Sequence, residues 1–466
     1  MASSALSIAA QDLPRDGEIG THWLDLDRPA TRQWTIETTR QLEAMGCLHE
    51  HGRYAPTPIT MPRQRYADML ADVVRLLHLA RRIALQTGQV LAWARADQRE
   101  LVEAGLRQPL LPPIARPDGI VVDGHLKLLE LNLDSGLGGY FEVELLQQRL
   151  VRLDRADAGG TLLVPTVWQG LQQYIAALMA GLGRAEVELA VMVDPHLTAY
   201  NRSHADIFVA HIARNMPGVR ARIVAADALR PERGRMSDGK TACDILWRFG
   251  AMTHAPELVR ASVEAQCMAL KTETLVVSSP ADLGVDGKLV LASLSELADD
   301  GSASLDPAER ELVKRLVPWT RFVRPGHVHF EGRTLALATL FCRERERLVL
   351  KRSHSKSSQQ VFIGCETDDA QWQQRLEAAL ADPVPWVLQE NMRSARLRFG
   401  YLGTGGEPAW SADQRYSINP FVFGDALAAP FIRLERDELN RRLAIANVGA
   451  MATCGLVLTP DARESA

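Results

Sequence analysis

Several signatures that would assign this chain to a common class are missing. Its six cysteines are scattered without a Cys-x-x-Cys pair, which argues against a zinc site or a disulfide framework and fits reduced, mostly buried thiols. No uncharged apolar run reaches about 18 residues, so no membrane span is expected. The first ten residues lack a basic segment and a long apolar core, so we expect no signal peptide and a cytoplasmic protein.

Other absences limit the chemistry. The chain has 53 Lys and Arg against 57 Asp and Glu, a net charge of −4, and no long basic run, so a nucleic-acid partner is not expected. There is neither a Gly-Lys-Ser/Thr P-loop nor a Gly-x-Ser-x-Gly nucleophile motif. The glycine-rich run Ser135–Gly139 fits neither a P-loop nor a dinucleotide fingerprint, and is either a loop that approaches a ligand or a plain turn.

The chain is long enough for a large core and two or three domains. Its 466 residues are 46% hydrophobic and 24% charged, as in ordinary globular proteins. Helical periodicity predicts helices over 30–46 and 64–107. Alternating helices and strands predict a parallel α/β unit, and a strand is predicted over 335–341. We expect four regions: a mostly helical one at 1–110, a hairpin and loop at 111–160, the α/β unit at 161–285, and a mixed region at 286–466.

The most informative segment is a predicted hairpin between Arg116 and Asn132. A strict two-residue turn at Asp123-Gly124 would put Asp118 and Glu130 on opposite faces, because strand side chains alternate. A three-residue loop, Asp123–His125, would instead place the two acids opposite each other, and three-residue loops are common. Opposed carboxylates repel unless a cation lies between them. We therefore predict the three-residue loop.

The same hairpin supplies hard oxygen ligands on a stiff frame, as a phosphate-bridging divalent metal requires. Arg116 and Asn132 would face each other beside the two acids. The alternative is a solvated hairpin with ordinary polar faces. Leu128, Leu129 and Leu131 are too apolar for a freely solvated strand, which favours the metal site.

Three later segments carry residues suited to nucleotide chemistry. Lys351 ends an apolar strand before a polar loop, a placement that suits phosphate oxygens. The strand that ends in Gln389-Glu390 could pair with an adenine edge and take ribose hydroxyls. Arg433, on another strand, would neutralise developing charge in a phosphate site. Taken singly, each also fits a surface lysine, an edge strand or a salt-bridged arginine.

The order of these segments resembles that of the circularly permuted ATP-grasp proteins, and among them the synthetase domain of glutathionylspermidine synthase. In that family Arg-x-Asp precedes Glu-x-Asn in an early hairpin, as Arg116-x-Asp118 and Glu130-x-Asn132 do here with 12 residues between the acids. Asp286–Leu294 looks like the family helix with an ATP-binding lysine. Leu348–Lys351, Trp386–Glu390 and the strands from Asn419 to Arg433 follow in the family order, so the resemblance spans about residues 112–450.

The resemblance implies a permuted ATP-grasp core of α+β class, with an inserted α/β domain like the pre-ATP-grasp domain. It implies ATP and two Mg²⁺ ions, in an enzyme that joins a small-molecule or peptide carboxylate to an amine through an acyl phosphate. The family roles map to Asp118, Glu130 and Asn132 as metal ligands, Lys288, Lys351, Gln389 and Glu390 at ATP, and Arg116 and Arg433 as catalytic arginines.

Substrate specificity is expected to lie with the loop that begins at Ser135, with Arg248 and with the 161–285 region. The sequence identifies neither substrate, nor the oligomeric state. The lid loop Arg352–Gln360 lacks the glycines usual in the family. This leaves two alternatives open: a nucleotide-binding pseudo-enzyme with a regulatory or scaffolding role, and an ATP-grasp kinase that phosphorylates a hydroxyl.

Overall fold

The computed structural model describes residues 19–21, 29–45, 53–55, 57–157, 166–194, 199–249, 256–354, 360–402, 407–410, 414–426, 428–434, 451–453 and 456–459. Within them the chain combines helices with parallel and antiparallel sheets, a mixed α/β fold. The helices are α1 (Pro29–Ala44), α2 (Arg63–Gln86), α3 (Val90–Trp93), α4 (Arg99–Gly105), α5 (Tyr140–Asp157), α6 (Val167–Gly181), α7 (Ala199–Asn215), α8 (Pro256–Ala269), α9 (Leu289–Asp299), α10 (Pro307–Leu316), α11 (Leu337–Arg343) and α12 (Asp369–Ala381).

Most strands are short, and many occur in hairpins. They are β1 (Gly20–Thr21), β2 (Arg53–Ala55), β3 (Ile59–Pro62), β4 (Ile114–Ala115), β5 (Asp118–Val122), β6 (His125–Glu130), β7 (Val187–Val193), β8 (Val219–Ala225), β9 (Arg230–Glu232), β10 (Arg235–Ser237), β11 (Ala242–Cys243), β12 (Ile245–Arg248), β13 (Leu275–Val277), β14 (Thr320–Phe322), β15 (His327–Phe330), β16 (Arg333–Ala336), β17 (Leu348–Arg352), β18 (Val361–Ile363), β19 (Trp386–Glu390), β20 (Arg396–Leu397), β21 (Gly400–Leu402), β22 (Pro408–Trp410), β23 (Gln414–Pro420), β24 (Val422–Phe423), β25 (Pro430–Leu434), β26 (Met451–Thr453) and β27 (Leu456–Thr459).

Two predicted elements differ in the structure. The helix predicted over 64–107 is broken into α2, α3 and α4. The first break follows from Gly88, whose φ of +66° ends α2 in the left-handed conformation typical of helix C-termini. The strand predicted over 335–341 ends at Ala336. From there α11 buries Leu337, Leu340 and Phe341, whose spacing is helical.

The predicted parallel α/β unit is confirmed. Its sheet has the order β13-β12-β7-β8, and all three pairings are parallel. Its two central strands, β7 and β12, are almost wholly buried, as the inner strands of a parallel sheet covered on both faces are. Arg248 is the last residue of β12, so it lies at the carboxyl edge of this sheet, where α/β proteins place their ligands.

Two further sheets, the first mixed and the second antiparallel, carry the predicted nucleotide residues. One has the order β2-β26-β25-β23-β5-β6 and joins the early hairpin to strands about 300 residues later in the chain. The other has the order β14-β19-β17-β18. Leu348, Leu350 and Leu388 in the second sheet pack on Trp372 of α12, so alternation leaves Lys351 and Gln389 on the other face.

No helix among the described residues is long and apolar enough to cross a membrane. The four-region division of the chain stays a prediction.

Candidate functional site

The hairpin that carries the predicted metal ligands closes with a two-residue turn. Asp123 and Gly124 both have positive φ, +47° and +78°, and Val122 pairs with His125. Turns with two positive φ values match the right-handed twist of the flanking strands, and Asp-Gly is a favoured sequence for them. The predicted three-residue loop is therefore wrong.

A β-bulge nevertheless brings the two acids opposite each other. Gly119 pairs with Leu128, but Asp118 pairs with Glu130, which makes Leu129 the extra residue. Such a bulge sets two residues of one strand against one of the other and changes the face that the following side chains take. The predicted pairing of Asp118 with Glu130 is confirmed, although its local cause is the bulge.

Asp118 lies between two arginines. Its Oδ2 is 2.6 Å from Arg433 Nη2, and its Oδ1 is 3.8 Å from Arg116 Nη2. Burial by itself would raise the pKa of Asp118, but the charges of Arg433 and Arg116 outweigh burial and hold the pKa below its usual range. The carboxylate is therefore ionised at neutral pH, as a metal ligand must be.

Arg116 and Asn132 face each other across the start of the hairpin, as predicted. The Arg116 backbone N–H donates to the Asn132 carbonyl at 2.8 Å, and Asn132 Nδ2 donates to the Arg116 carbonyl at 3.0 Å. The guanidinium donates to the Gly138 carbonyl and lies 5.5 Å from the centroid of the Phe431 ring. Burial lowers the pKa of Arg116 from its usual value, and Asp118 partly offsets this.

Asn419 is a residue of the site that the sequence analysis missed. It lies on β23, and its Oδ1 accepts from the Gly119 backbone N–H at 3.1 Å and from Arg433 Nη2 at 3.2 Å. It is fully buried. The available signal was a single amide within the otherwise apolar run Ile418–Phe423.

Lys288 is held beside Glu130 by a backbone bridge. Gly287, with φ at +104°, exchanges two hydrogen bonds of 3.0 and 2.6 Å with Leu131, the residue that follows Glu130. Lys288 comes next, immediately before α9, and its Nζ lies 2.7 Å from Glu130 Oε1. The structure therefore brings the predicted phosphate lysine to the predicted metal ligand.

Lys351 reaches the same charge cluster from the second sheet. Its Nζ donates to Gln389 Oε1, and Gln389 Nε2 donates to Thr320 Oγ1 at 3.0 Å. The pKa of Lys351 is lowered to about 8, mainly by burial and also by the positive charge of Lys288, while Glu130 and Asp118 act in the opposite direction. The two lysines and the two acids therefore interact electrostatically.

Glu390 is placed differently from its neighbour Gln389. Successive strand residues point to opposite faces, and the Glu390 carboxylate lies 3.6 Å from Arg347 Nη2.

In the lid loop Arg352–Gln360, residues 355–359 lie outside the described residues. At its near end, burial lowers the pKa of His354 to about 4, so its ring is neutral at pH 7.

Ser135 and Arg248, the predicted substrate residues, lie together in a second polar cluster. The Ser135 hydroxyl is 2.8 Å from the Arg248 carbonyl oxygen. The Arg248 guanidinium lies 3.0 Å from Asp134, 3.1 Å from Gln266 and 3.0 Å from Ser278. Both side chains are thus engaged within the protein, and Asp134, which the sequence analysis missed, is their half-buried neighbour.

The donor set at the hairpin fits magnesium and a polyphosphate. Mg²⁺ typically takes one or two protein carboxylates and completes its shell with phosphates and water. Asp118 Oδ1 is buried without a hydrogen-bond partner, and so are Arg116 Nε and Arg433 Nε. Such atoms are available to a bound ion, a water molecule or a substrate oxygen. Among the described residues no group of three or more His, Cys, Asp and Glu could hold a metal by itself, so the amide of Asn132 and substrate oxygens would have to complete the set.

No protein-family model and no curated protein matches this sequence. Among solved structures, the chain is similar to a glutathione synthetase-like effector, GSS30, from Globodera pallida, in its apo form. The two share 11% sequence identity with a TM-score of 0.59, over 92% of this chain and 97% of the effector. A protein from Methylobacillus flagellatus KT, provisionally assigned as a γ-glutamylcysteine synthetase, aligns at 11% identity and a TM-score of 0.41 over 79% of this chain and 84% of its own. The first similarity shows a shared fold.

If Lys351 binds phosphate as the sequence predicts, its lowered pKa makes nucleotide binding depend on pH. The amine is charged below about pH 8 and neutral above it, so phosphate affinity should fall as the pH rises. If only the charged form binds, the Kd for Mg-ADP increases about fivefold between pH 8 and pH 9. Calorimetric titration across this range measures the effect. Lys351→Arg, which stays charged, should flatten the profile; an unchanged slope in that variant would contradict the assignment.

Proposed function

We propose that this protein is an ATP- and Mg²⁺-dependent carboxylate–amine ligase with a circularly permuted ATP-grasp core. One observation carries the proposal: Asp118 and Glu130 oppose each other on one hairpin, with Arg433 2.6 Å from the first and Lys288 2.7 Å from the second. Paired carboxylates ringed by cations suit a metal-bound polyphosphate. The fold shared with a glutathione synthetase-like effector supports the ligase class.

The permuted order is supported by how distant segments meet. The hairpin strands β5 and β6 join β23 and β25 in one sheet, although the hairpin precedes the nucleotide lysines in the chain.

The partners proposed are a small-molecule or peptide carboxylate and an amine. Mg²⁺ would be held by Asp118, Glu130 and Asn132, and ATP by Lys288, Lys351, Gln389 and Glu390.

The residues of the chain would act by positioning and by electrostatics. Bound Mg²⁺ and ATP supply an activated phosphoryl group. The substrate carboxylate takes that group and releases ADP, and the amine then displaces phosphate from the acyl phosphate, with loss of a proton, to form the amide. Arg116 and Arg433 would neutralise charge on the oxygens during transfer, which is how enzymes lower the barrier of such steps. No protein nucleophile is needed.

The test uses the full-length protein with Mg²⁺, ATP and a panel of carboxylates and amines. A ligase releases ADP over many turnovers only when an acid and an amine are both present, and mass spectrometry finds the dehydrated adduct of the two. ADP release with a phosphorylated hydroxyl compound would instead identify a kinase. Nucleotide binding without turnover on any pair would identify a non-catalytic nucleotide-binding protein. Asp118→Asn serves as the inactive control.

A further inference from the structure

At Asn419 the regular backbone hydrogen bonding between β23 and β5 is interrupted. Strand β23 pairs with β5 through Ser417 and Ile120, but the next pairing position falls at the bulge between Asp118 and Gly119. There the Gly119 N–H donates to the Asn419 side chain instead of a backbone carbonyl. The side-chain amide therefore replaces a rung of the ladder next to a predicted metal ligand.

The four contacts of this amide fit only one side chain in one orientation. Two donors meet its oxygen: the Gly119 N–H at 3.1 Å and Arg433 Nη2 at 3.2 Å. Two acceptors meet its nitrogen: Ser417 Oγ at 2.9 Å and the Phe431 carbonyl at 2.7 Å. A carboxylate has no N–H for the Phe431 carbonyl, and an aliphatic side chain satisfies neither pair.

Strands β5 and β23 approach each other so closely beside Asn419 that no side chain fits at Gly119. A Cβ at Gly119 would lie 3.0 Å from the Ile418 carbonyl and 2.7 Å from Leu126 Cδ1. β5 therefore packs closely on β23 at this level. Because Asn419 Oδ1 lies 3.2 Å from Arg433 Nη2, loss of the amide removes one of the partners that restrain the guanidinium.

From these contacts we infer that Asn419 is the positioning residue that holds Arg433 against Asp118. The inference rests on the proposed function, because Arg433 is there the arginine that faces the transferred phosphate. Asn419 bridges the strand that carries Asp118 and the strand that carries Arg433, and it is not among the residues proposed to bind substrate or metal. Its role is to fix the arginine at the distance that the charge pair requires.

The variant Asn419→Ala tests the inference beside a matched control, Thr274→Val. Thr274 is also buried and also bridges two backbone groups, Met236 N–H and the Cys243 carbonyl, in the α/β unit. Asn419→Ala should lower kcat at least about tenfold, while Thr274→Val, with a comparable loss of thermal stability, should keep kcat within about twofold of wild type. Equal retention of kcat by both variants would overturn the inference.

A double-mutant cycle shows whether Asn419 acts through Arg433. In the Arg433→Met background, Asn419→Ala should change kcat by less than about twofold, because its partner is already gone. The full effect of Asn419→Ala in that background would overturn the inference. If the alanine variant does not fold, the isosteric Asn419→Asp replaces it. That carboxylate competes with Asp118 for Arg433 and should also lower kcat, so a wild-type kcat and pH profile would overturn the inference.

A second readout separates this inference from the proposed function. A crystal structure of the Asn419 variant should show the Arg433–Asp118 contact lengthened beyond about 3.5 Å. If the wild-type protein turns over no substrate pair, the proposed function is wrong. The distance between Arg433 and Asp118 in the variant still shows whether Asn419 positions the arginine. An unchanged contact would overturn the inference whatever the activity.

Discussion

Replacing either hairpin carboxylate should lower Mg²⁺-dependent turnover at least roughly 10²-fold, because each substitution replaces a charged metal ligand with a neutral, weaker one. Asp118→Asn and Glu130→Gln keep the shape of the side chains and remove only the charge. Asp118 and Glu130 are proposed to bind the same metal-bound nucleotide, so the two substitutions should lower turnover by similar factors. ADP release under saturating ATP, followed against Mg²⁺ concentration, measures them.

Asp123→Asn is the matched control for these two variants. Asp123 belongs to the same hairpin, is exposed, and has a φ of +47°, a conformation that asparagine accepts well. This variant should retain wild-type turnover and the wild-type Mg²⁺ requirement. If Asp118→Asn and Glu130→Gln behave like Asp123→Asn, the hairpin is not the metal site.

Loss of Arg433 should have an effect as large and should also change the pH profile. Arg433→Met removes a charge that faces the transferred phosphate, for which about 10²-fold in kcat is expected. It also removes one of the three positive charges, those of Arg433, Arg116 and Lys288, that hold down the pKa of Asp118. Since Asp118 must be ionised to bind metal, the acid limb of the kcat profile should move to higher pH.

Initial rates between pH 4 and pH 9, taken for wild type, Arg433→Met and Arg433→Lys, check both effects. Arg433→Lys restores the charge without the planar fork of five donors, so it should return the acid limb toward wild type while recovering only part of kcat. An acid limb that does not move in Arg433→Met would show that Arg433 does not stabilise the charged form of Asp118.

The opposed acids were predictable because strand alternation admits few registers. The apolar residues around Glu130 indicate a covered strand, and a cation explains why Asp118 should face it. The turn was misassigned for a physical reason. Asp-Gly favours a two-residue turn. The pairing of Asp118 with Glu130 then depends on a one-residue bulge at Leu129, and no glycine or other turn residue marks that bulge in the sequence.

The contacts between distant segments of the site could not be predicted as well from the sequence. Lys288 meets Glu130 through the bridge between Gly287 and Leu131, and nothing in either segment alone indicates that pairing. Asn419 was missed because a buried amide has no spacing pattern. Arg248 was predicted as a substrate residue, and its carboxyl-edge position follows from the strand pattern, but its partners Asp134, Gln266 and Ser278 come from three separate segments.

The measurement that tests the central claim most directly is a crystal structure of the protein with Mg²⁺ and a non-hydrolysable ATP analogue. The account predicts a metal ion about 2.0–2.1 Å from carboxylate oxygens of both Asp118 and Glu130, and Lys288 Nζ moved from Glu130 to a phosphate oxygen. A nucleotide bound elsewhere, or a metal ion that touches neither acid while Lys288 keeps its contact with Glu130, would contradict it.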